Sequence, residues 1–501
     1  FQAPRLGSSS YRGFRETIAG TYMQDDFKVT QRLTLNLGLR WEVMRDPREV
    51  NGKMSRLMSP LDSQLMLTDR YFSVGKKDFQ PRVGLAWQLN GSGTTVLRAG
   101  FGILHDHIMP NAYVGFASNN PPFYLSQTVN GTATNPVKFP DAYTQLSLNA
   151  PPRAVYLPAA VKEPVKNSYS LSLQRQVMKD TVVEVAYLGS ESHHLETSGE
   201  LNTPVPILVN GQHAFPATGV VQNLRANQNF ASIQSYWFGS NANYNALQVT
   251  FKRRSSSGLQ YQAFYTYSRS MDEKSLISGG ESHLEGVTTL DYLNLRRDYA
   301  RSSYDARQSF VATATYPFPF RFQQKALGLI LGGWTANGIT TLRAGAPLTP
   351  TVGFNRSRNG DRWSPDRPNL NPGFSSDPTH GVTAGCAGVP AGQTLGTPQL
   401  FYDPCAFSLP APGTYGNLGR NTVTGPGLTN VDVSLEKTFK PREPMSVQFR
   451  TEVFNILNNS NFSIPGYALF QGNGDRIGSA GHITALTTQP RLIQFALKIL
   501  F

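Results

Sequence analysis

Cysteine is the first residue type whose spacing could support chemistry in this sequence. Cys386 and Cys405 are the only two cysteines, and both lie in the segment GCAGVPAGQTLGTPQLFYDPCAF. They could form a disulfide or remain two unrelated free thiols, and a metal site would need more ligands than this neighbourhood offers. No arrangement of residues resembles a catalytic triad, and no glycine-rich loop is suited to phosphate. The chain is therefore predicted not to be an enzyme and to need no cofactor.

Histidine pairs are the second candidates. His105 and His107 lie at the end of a predicted strand, and His193 and His194 lie close to Glu196 in a predicted loop. Two imidazoles could contribute to a metal site, but metal sites in proteins use more fixed ligands than a pair. Such pairs are more often polar residues of a rim or a loop, so no metal site is predicted.

Alternation of apolar and polar residues predicts the elements that position these groups. In LTLNLGLRWEV, the leucines and Trp41 point to one face of an extended strand, and polar residues or glycine point to the other. The same period of two recurs along the chain and is typical of strands. It predicts thirteen strands, over residues 17–29, 33–45, 80–89, 95–106, 166–177, 181–190, 243–254, 259–271, 305–316, 333–345, 428–439, 445–457 and 490–501.

Composition narrows the class of protein. Mean hydropathy is −0.31, and the longest strongly apolar run, 326–334, is about half of the ~20 residues that a membrane helix needs. No membrane-spanning helix is therefore predicted. The formal charge of +13 comes from scattered lysine and arginine residues. It is compatible with an anionic membrane surface, and nucleic acid is not predicted as a partner.

The connections between strands alternate between short turns and long loops. The long loops span 46–79, 107–165, 191–242, 272–304, 346–427 and 458–489, and the link over 317–332 is of intermediate length. A soluble sandwich rarely needs a long loop after every second strand. Outer-membrane barrels have this asymmetry, with short turns in the periplasm and long loops outside the cell.

The predicted fold is thus all-β, a transmembrane antiparallel up-and-down β-barrel that crosses the bacterial outer membrane many times. Residues 346–427 are its longest predicted extracellular loop. A large soluble β-sandwich or propeller, with the same apolar residues in a core, is the alternative.

Charged and aromatic residues on the apolar faces have the positions that a membrane requires. Arg175, Arg253 and Lys437 each lie within about two residues of a short-turn end. A cation costs roughly 0–1 kcal/mol there, against about 2–4 kcal/mol at the midplane. Aromatic residues on the same faces gather at strand ends and predict two girdles. The girdle candidates are Trp41, Trp87, Tyr169, Tyr187, Phe251, Tyr261, Tyr267, Trp334, Phe439 and Phe501.

Charged residues on the opposite, inward faces are expected to pair with one another in a wet interior rather than to do acid–base chemistry. The inward carboxylates are Glu42, Glu184, Asp432, Glu436 and Glu452, and the inward arginines are Arg40, Arg82, Arg98, Arg343 and Arg450.

Four stretches carry a resemblance to a known family: TYMQDDFKVTQRLTLNLGLRWE (21–42), DARQSFVATATYPFPF (305–320), GGWTANGITTLRAGAPLT (332–349), and NVDVSLEKTFK followed by FRTEVFNILNNSNFSIPG (430–466). In order and spacing they resemble the TonB-dependent outer-membrane receptors, specifically the Oar-like group. The resemblance implies a barrel of about 22 strands with a plug inside it. It also implies a TonB box, through which the TonB–ExbB–ExbD complex supplies energy.

Neither the plug nor the TonB box is found in this sequence. The chain, residues 1–501, is therefore expected to be the C-terminal barrel portion of such a receptor, incomplete with about 13 of the 22 strands. Single-chain bacterial barrels have an even number of strands, so an odd count agrees with a fragment.

The last strand, RLIQFALKILF, has an expected role of its own. Its apolar row consists of Ile493, Phe495, Leu497, Ile499 and Phe501. In the family it resembles, terminal strands that end in phenylalanine are recognised by the barrel-assembly machinery, so this row is predicted to be that signal. A last strand that simply faces lipid is the alternative, which explains the alternation but not the terminal phenylalanine.

Aromatic clusters in the long loops are candidates for substrate contact, because aromatic rings can stack on sugars or on apolar peptide groups. The candidates are Tyr113, Phe116, Phe123, Tyr124, Tyr236, Trp237, Phe238, Trp363, Phe401 and Tyr402. Packing of loops on one another is at least as frequent a reason for such rings, and both explanations stay open. For the cysteines, an oxidising periplasm favours the Cys386–Cys405 disulfide over free thiols.

The predicted function is TonB-dependent uptake of a bulky or scarce substrate, such as a carbohydrate or peptide, across the bacterial outer membrane. Expected partners are outer-membrane lipid and lipopolysaccharide, the barrel-assembly machinery, and the TonB–ExbB–ExbD complex through the missing N-terminal region. The alternative is a structural or adhesive barrel whose loops contact surfaces or other cells. An upstream plug with a TonB box would favour transport over adhesion.

Overall fold

Thirteen long strands form the body of the protein. The computed structural model describes residues 2–4, 7–110, 113–114, 118–128, 136–138, 151–215, 221–256, 258–275, 289–320, 322–361, 366–442 and 444–501. The strands are β1 (Ile18–Lys28), β2 (Leu33–Met44), β3 (Asp78–Gln88), β4 (Thr95–His105), β5 (Val165–Met178), β6 (Thr181–Glu200), β7 (Ser232–Arg254), β8 (Gln260–Asp272), β9 (Gln308–Pro317), β10 (Trp334–Arg343), β11 (Leu428–Arg442), β12 (Met445–Phe454) and β13 (Leu492–Leu500).

Each strand pairs with the next one along the chain, and every one of these pairings is antiparallel. The result is one continuous meander, which two short segments, Arg153–Tyr156 beside β7 and Ala300–Arg301 beside β8, extend to a 15-stranded sheet. All thirteen predicted strands are confirmed. Within the described residues, the end strands β1 and β13 do not pair with each other.

Strands β6 and β7 are longer than their sequences predict. Beyond a register shift between Ser192 and Leu195, pairing continues from Glu196 opposite Phe238 to Glu200 opposite Gln234. The alternation that predicts strands stops near residue 190. At the end of β6, every residue from Thr197 to Glu200 is buried, so both faces of the strand meet protein there. Burial on both faces removes the polar-out pattern on which the prediction depends.

The remaining elements are short. Helices cover Val221–Leu224 and Lys325–Leu331, and 3₁₀ turns cover Leu295–Asp298 and Pro404–Ala406. Two-stranded ribbons in the loops pair Gln2–Pro4 with Ser126–Thr128, Phe14–Arg15 with Arg48–Glu49, Ser55–Arg56 with Met66–Leu67, Ile207–Val209 with Gln212–Ala214, Pro347–Leu348 with Val423–Thr424, and Asn369–Leu370 with Phe407–Ser408. Among the residues described, no helix has the length and apolar character needed to cross a membrane.

The two faces of the sheet differ in polarity, and we call them outer and inner. One outer row crosses β2 to β10 through Leu33, Trp87, Leu97, Leu173, Val185, Val249, Tyr265, Phe310 and Leu342. The neighbouring inner row consists of Thr34, Ala86, Arg98, Ser172, Ala186, Gln248, Thr266, Ser309 and Arg343. In these nine strands, every large apolar side chain at this level lies on the outer face.

The outer rows do not fold against one another as a dry interior. Phe495 is 68% exposed, Leu497 65% and Val83 51%. The buried apolar side chains cluster in the loops and at the strand ends next to them. One cluster includes Met44 and Tyr71, and another includes Leu348 and Leu469. A soluble sandwich would reverse this arrangement, so the structure excludes that alternative.

Two neighbouring residues near the middle of 243–254, the alternating part of β7, allow a matched test of the two faces. Leu247 lies on the outer face and Gln248 on the inner face. We expect Leu247→Arg to lower the free energy of unfolding from lipid vesicles by about 2–4 kcal/mol, because a cation at the bilayer midplane is poorly solvated. Gln248→Arg is expected to change it by less than half of that. Equal losses for the two variants, measured by urea titration, would contradict the assignment of the faces.

Candidate functional site at the inner face and the long-loop end

Hydrogen-bonded polar side chains line the inner face. Gln80 Nε2 donates to Glu42 Oε2 over 2.7 Å, and Glu42 also pairs with Arg40 on the same strand. Further along, Arg98 Nη1 donates to Gln174 Oε1 over 2.7 Å. The expected pairing of inward carboxylates with arginines is therefore present at Glu42, and such an arrangement requires water rather than hydrocarbon beside it.

A concave space of about 820 Å³ opens on the inner face toward the short-turn end of β5 to β9. Among its lining residues are Gln174, Glu184, Thr250, Lys252 and Gln262. Donors, acceptors and both signs of charge are mixed on this wall. The wall can therefore contact a polar solute at many points, and it offers no set of residues arranged for bond cleavage.

Loops cover the inner face at the opposite, long-loop end. Ser268 Oγ donates to the carbonyl oxygen of Ala306 over 2.9 Å, and the backbone N–H of Ser270 donates to Asp305 Oδ1 over 2.8 Å. Ala246, on the inner face of β7, is only 2% exposed. The loop that follows β8 therefore lies across the inner wall rather than away from it.

Buried ion pairs join this loop to the long loop between β10 and β11. Arg420 pairs with Asp272 at the end of β8, and its Nε donates to the carbonyl oxygen of Asp298 over 2.8 Å. Arg367 Nη1 lies 3.1 Å from Asp298 Oδ1. All four side chains are more than nine-tenths buried. Removing one partner would leave an uncompensated buried charge, so the two loops are held as a unit.

Cys386 and Cys405 form a disulfide with a Cα–Cα distance of 5.6 Å. Asp403 organises the same segment, because its Oδ1 accepts from the backbone N–H of Cys405 over 2.9 Å and from Thr383 Oγ1 over 2.8 Å. The bridge and the carboxylate together fix a long connection that contains little regular structure.

Three of the candidate loop aromatics are buried. Tyr113 Oη donates to Glu16 Oε2 over 2.6 Å, and Tyr402 Oη donates to the carbonyl oxygen of Gly466 over 2.7 Å. Tyr236 packs in the same cluster as Tyr113. Loop-on-loop packing, which the sequence left open, accounts for these three rings, and they do not face solvent in this conformation.

The other described candidates are partly exposed. Phe123 carries the guanidinium of Arg12 at 5.3 Å from its ring centre, and Tyr124 lies beside it in the chain with intermediate exposure. Trp237, Phe238 and Phe401 are likewise half-buried. Phe116 and Trp363 lie outside the described residues.

The sequence singles out His105 and His107 but not the carboxylates Asp78 and Glu163, with which they form a cluster at the long-loop end. His107 Nδ1 lies 3.1 Å from Glu163 Oε1, and His105 Nδ1 lies 3.4 Å from Asp78 Oδ1. Burial, together with a hydrogen bond to Asp78, raises the pKa of Glu163 to about 9. Asp78 lies in β3, the histidines lie at and just after the end of β4, and Glu163 lies in the loop before β5. Because these residues are far apart in the chain, no local sequence pattern predicts that they meet.

The cluster does not form a metal site. No group of three or more histidine, cysteine, aspartate or glutamate residues in the described part of the chain has the arrangement that would hold a metal ion. The second histidine pair is separate, and His193 Nδ1 lies 2.9 Å from Asn241 Oδ1. The contacts of Glu163 with His107 and Asp78 therefore link the loop before β5 to β3 and β4.

The apolar row of the last strand lies on the outer face. Ile493, Phe495, Leu497 and Ile499 pair with outer-face residues of β12 and are about half exposed or more, and Phe501 is 94% exposed. The row is therefore available to lipid or to another protein. Its role as an assembly signal stays a prediction.

A single antiparallel sheet that is apolar on its outer face, polar on its inner face and covered by folded loops at one end is the wall of a membrane β-barrel. The model of the outer membrane beta barrel domain family matches residues 2–494. The chain belongs to this family, and it is a bacterial outer-membrane protein. The family is not one of enzymes, in agreement with the prediction.

Several solved structures are similar to this chain. One is the outer membrane transporter YddB from Escherichia coli, with 10% sequence identity and a TM-score of 0.49. The alignment covers 96% of this chain and 45% of YddB. The FrpB iron transporter from Neisseria meningitidis has 10% identity and a TM-score of 0.45, and the alignment covers 98% of this chain and 46% of FrpB. The siderophore receptor PiuA from Acinetobacter baumannii has 8% identity and a TM-score of 0.44, and the alignment covers 97% of this chain and 44% of PiuA.

The chain thus spans less than half the length of these solved proteins. Among curated proteins, none matches the sequence. The Oar-like group and the full strand number stay predictions.

Glu163 gives a test of the buried cluster. Its folded pKa of about 9 lies above that of an unfolded glutamate, so its protonation contributes stability that is present at low pH and lost as pH rises through 9. Glu163→Gln retains the shape of the protonated acid. We therefore expect amides of residues 153–165 to exchange more slowly in this variant than in wild type at pH 9, and equally at pH 5. A ratio of wild-type to variant exchange rates that does not change with pH would contradict the raised pKa of Glu163. The control variant is Glu184→Gln on the inner wall, which should not affect these amides.

The disulfide gives a second test. Replacing both cysteines by serine should remove about 3 kcal/mol of local stability, because the closed loop restricts the unfolded segment. Hydrogen exchange should become faster across residues 378–407, and amides of β5 and β6 should not change. Unchanged protection of the loop, or an equal loss of protection in the sheet, would show that the bridge is not a local brace.

Proposed function

We propose that this chain is the barrel part of a TonB-dependent transporter that takes up a bulky or scarce substrate across the outer membrane. The observation that carries the proposal is the combination of family membership with a polar, water-compatible inner wall that is covered by folded loops at one end. A wall of this kind surrounds a route for polar solutes, and the loops at its mouth restrict what can enter.

The long-loop end is proposed to face the medium and the short turns to face the periplasm, as in other bacterial barrels. Residues 346–427 would then be the longest extracellular loop. Its disulfide agrees with an oxidising compartment. The buried ion pairs around Arg420 hold this loop over the inner face, which supports selection of substrate rather than free diffusion.

Substrate contact is assigned to the half-buried loop aromatics rather than to the buried ones. Trp237, Phe401 and Tyr124 present partly exposed rings at the long-loop end, and such rings can stack on sugar or apolar peptide groups. Two of the similar solved structures are described as an outer membrane transporter and a siderophore receptor.

Energy is proposed to come from the TonB–ExbB–ExbD complex through a plug and TonB box outside this sequence. The apolar row from Ile493 to Phe501 is proposed as the recognition signal for the barrel-assembly machinery. The row is exposed on an edge strand, which is the arrangement that strand addition by another protein needs.

A deletion strain tests the proposed transport. Cells lacking the full-length gene are expected to grow more slowly than wild type on at least one sole source of carbon, nitrogen or iron. Expression of the full-length protein should restore growth, and uptake of that labelled nutrient should stop when a protonophore collapses the proton gradient. Growth curves and uptake rates are the measurements.

Two results would contradict transport. Growth equal to wild type on every source, with loss of attachment to surfaces or other cells, would favour the adhesive alternative. Uptake that persists in a strain without TonB would show passive diffusion. Surface levels of the protein, measured by antibody binding to whole cells, control for failed assembly.

A further inference from the structure

The link between β9 and β10 differs from the other links at the short-turn end. Connections such as MKD and SSSG are short and polar, whereas residues 318–333 contain the seven-residue helix Lys325–Leu331, with the sequence KALGLIL. Four of its apolar side chains are exposed: Leu327 at 40%, Leu329 at 57%, Ile330 at 65% and Leu331 at 46%. A helix with such a surface needs a cover that the described chain does not supply.

Lys437 shows on which side of the sheet this helix lies. It pairs across the sheet with Trp334 and with Phe449, so it belongs to an outer row. Its ammonium donates to the carbonyl oxygen of Ile330 over 3.1 Å and to that of Leu329. Lys437 is only 4% exposed. The helix therefore folds back against the outer face of the wall and covers a cation there.

The contact is well suited to hold the helix. The two carbonyl groups belong to the last turn, where the helix dipole places partial negative charge and a cation is favourable. The ammonium also lies 5.6 Å from the ring centre of Trp334 and 4.7 Å from that of Phe439. Trp334 Nε1 donates to Ile330 O over 2.9 Å. Lys437 therefore lies near the short-turn end, as the sequence predicts, and its ammonium is solvated there by helix carbonyl groups.

The exposed helix surface is continuous with the lipid-facing surface of the barrel. Tyr316, Phe318 and Phe320 form a ladder down the end of β9, with ring centres 5.5 and 5.4 Å apart. On the other side, Trp334 lies against Phe449, with ring centres 6.3 Å apart. This band at the short-turn end has the composition of an aromatic girdle, and the helix lies within it.

We propose that helix Lys325–Leu331 is an in-plane membrane anchor, whose apolar side chains insert among the acyl chains of the leaflet at the short-turn end. Seven residues are too few to cross a bilayer, which takes about 20. A short apolar helix against a lipid-facing wall lies along the interface instead. The anchor would thereby help to fix the depth of the barrel in the membrane. The proposal does not depend on which substrate is transported.

Quenching of a fluorophore tests the location. The full-length protein with Ile330→Cys, labelled with a polarity-sensitive dye while the native disulfide stays oxidised, is reconstituted into phosphatidylcholine–phosphatidylglycerol vesicles. Spin-labelled phosphatidylcholine should quench this dye, and aqueous iodide should quench it several-fold less than a dye at the control position. The control is Ser256→Cys, in the exposed polar turn between β7 and β8 at the same end.

Two results would overturn the anchor. Iodide access at position 330 equal to that at position 256 would place the helix in water. Protection from both quenchers would mean that protein, such as a second copy or a periplasmic partner, covers the helix instead of lipid.

Lys437→Met tests the contact that holds the helix, because it removes the ammonium and keeps a side chain suited to the outer face. Amide exchange across residues 326–331 is expected to become several-fold faster, with exchange in the middle of β11 unchanged. Exchange across the helix that does not change would show that Lys437 does not position it, and that result would overturn the geometric basis of the proposal.

Discussion

The structure depends on one constraint: a backbone in hydrocarbon must satisfy its hydrogen bonds within the protein, because lipid offers none. A meander of thirteen antiparallel strands meets this demand at every strand between the two end strands, β1 and β13. The pleat then separates two solvents, since successive side chains point to opposite faces. The row from Leu33 to Leu342 consists of aliphatic and aromatic side chains, and the next row carries none that is large and apolar. The lipid-facing and water-facing surfaces follow from this alternation alone.

The same constraint explains how much of the fold the sequence reveals. All thirteen strands can be predicted, because a slip of one residue would turn every side chain of a strand to the wrong solvent. Where protein rather than lipid and water covers the two faces of a strand, alternation no longer predicts the strand. This is the case at the long-loop ends of β6 and β7. Their pairing up to Glu200 and Gln234 is not accompanied by an alternation of apolar and polar residues. The strand pattern predicts that Lys437 lies near the short-turn end, but it gives no signal for the helix carbonyl that binds it from more than one hundred residues away in the chain.

The candidate site shows a similar division. Inward polar residues such as Arg40 and Glu42 are predicted by the strand pattern, because neighbours on one face pair locally. Contacts that join distant loops have no such pattern. Glu163 meets His107 and Asp78, and Arg420 meets Asp272, only after the loops fold. Aromatic residues in loops are ambiguous from sequence for the same reason, since Tyr402 and Phe401 are adjacent in the chain and differ in exposure.

The most direct test of the two-solvent account is a spin-label scan along β7. Single labels at residues 244–251 of the full-length protein in vesicles would be measured for collisions with oxygen, which concentrates in lipid, and with an aqueous nickel complex. The account predicts opposite oscillations of the two accessibilities with a period of two residues, with oxygen access highest at the odd-numbered positions. Accessibilities that rise and fall together, or that do not alternate, would contradict it.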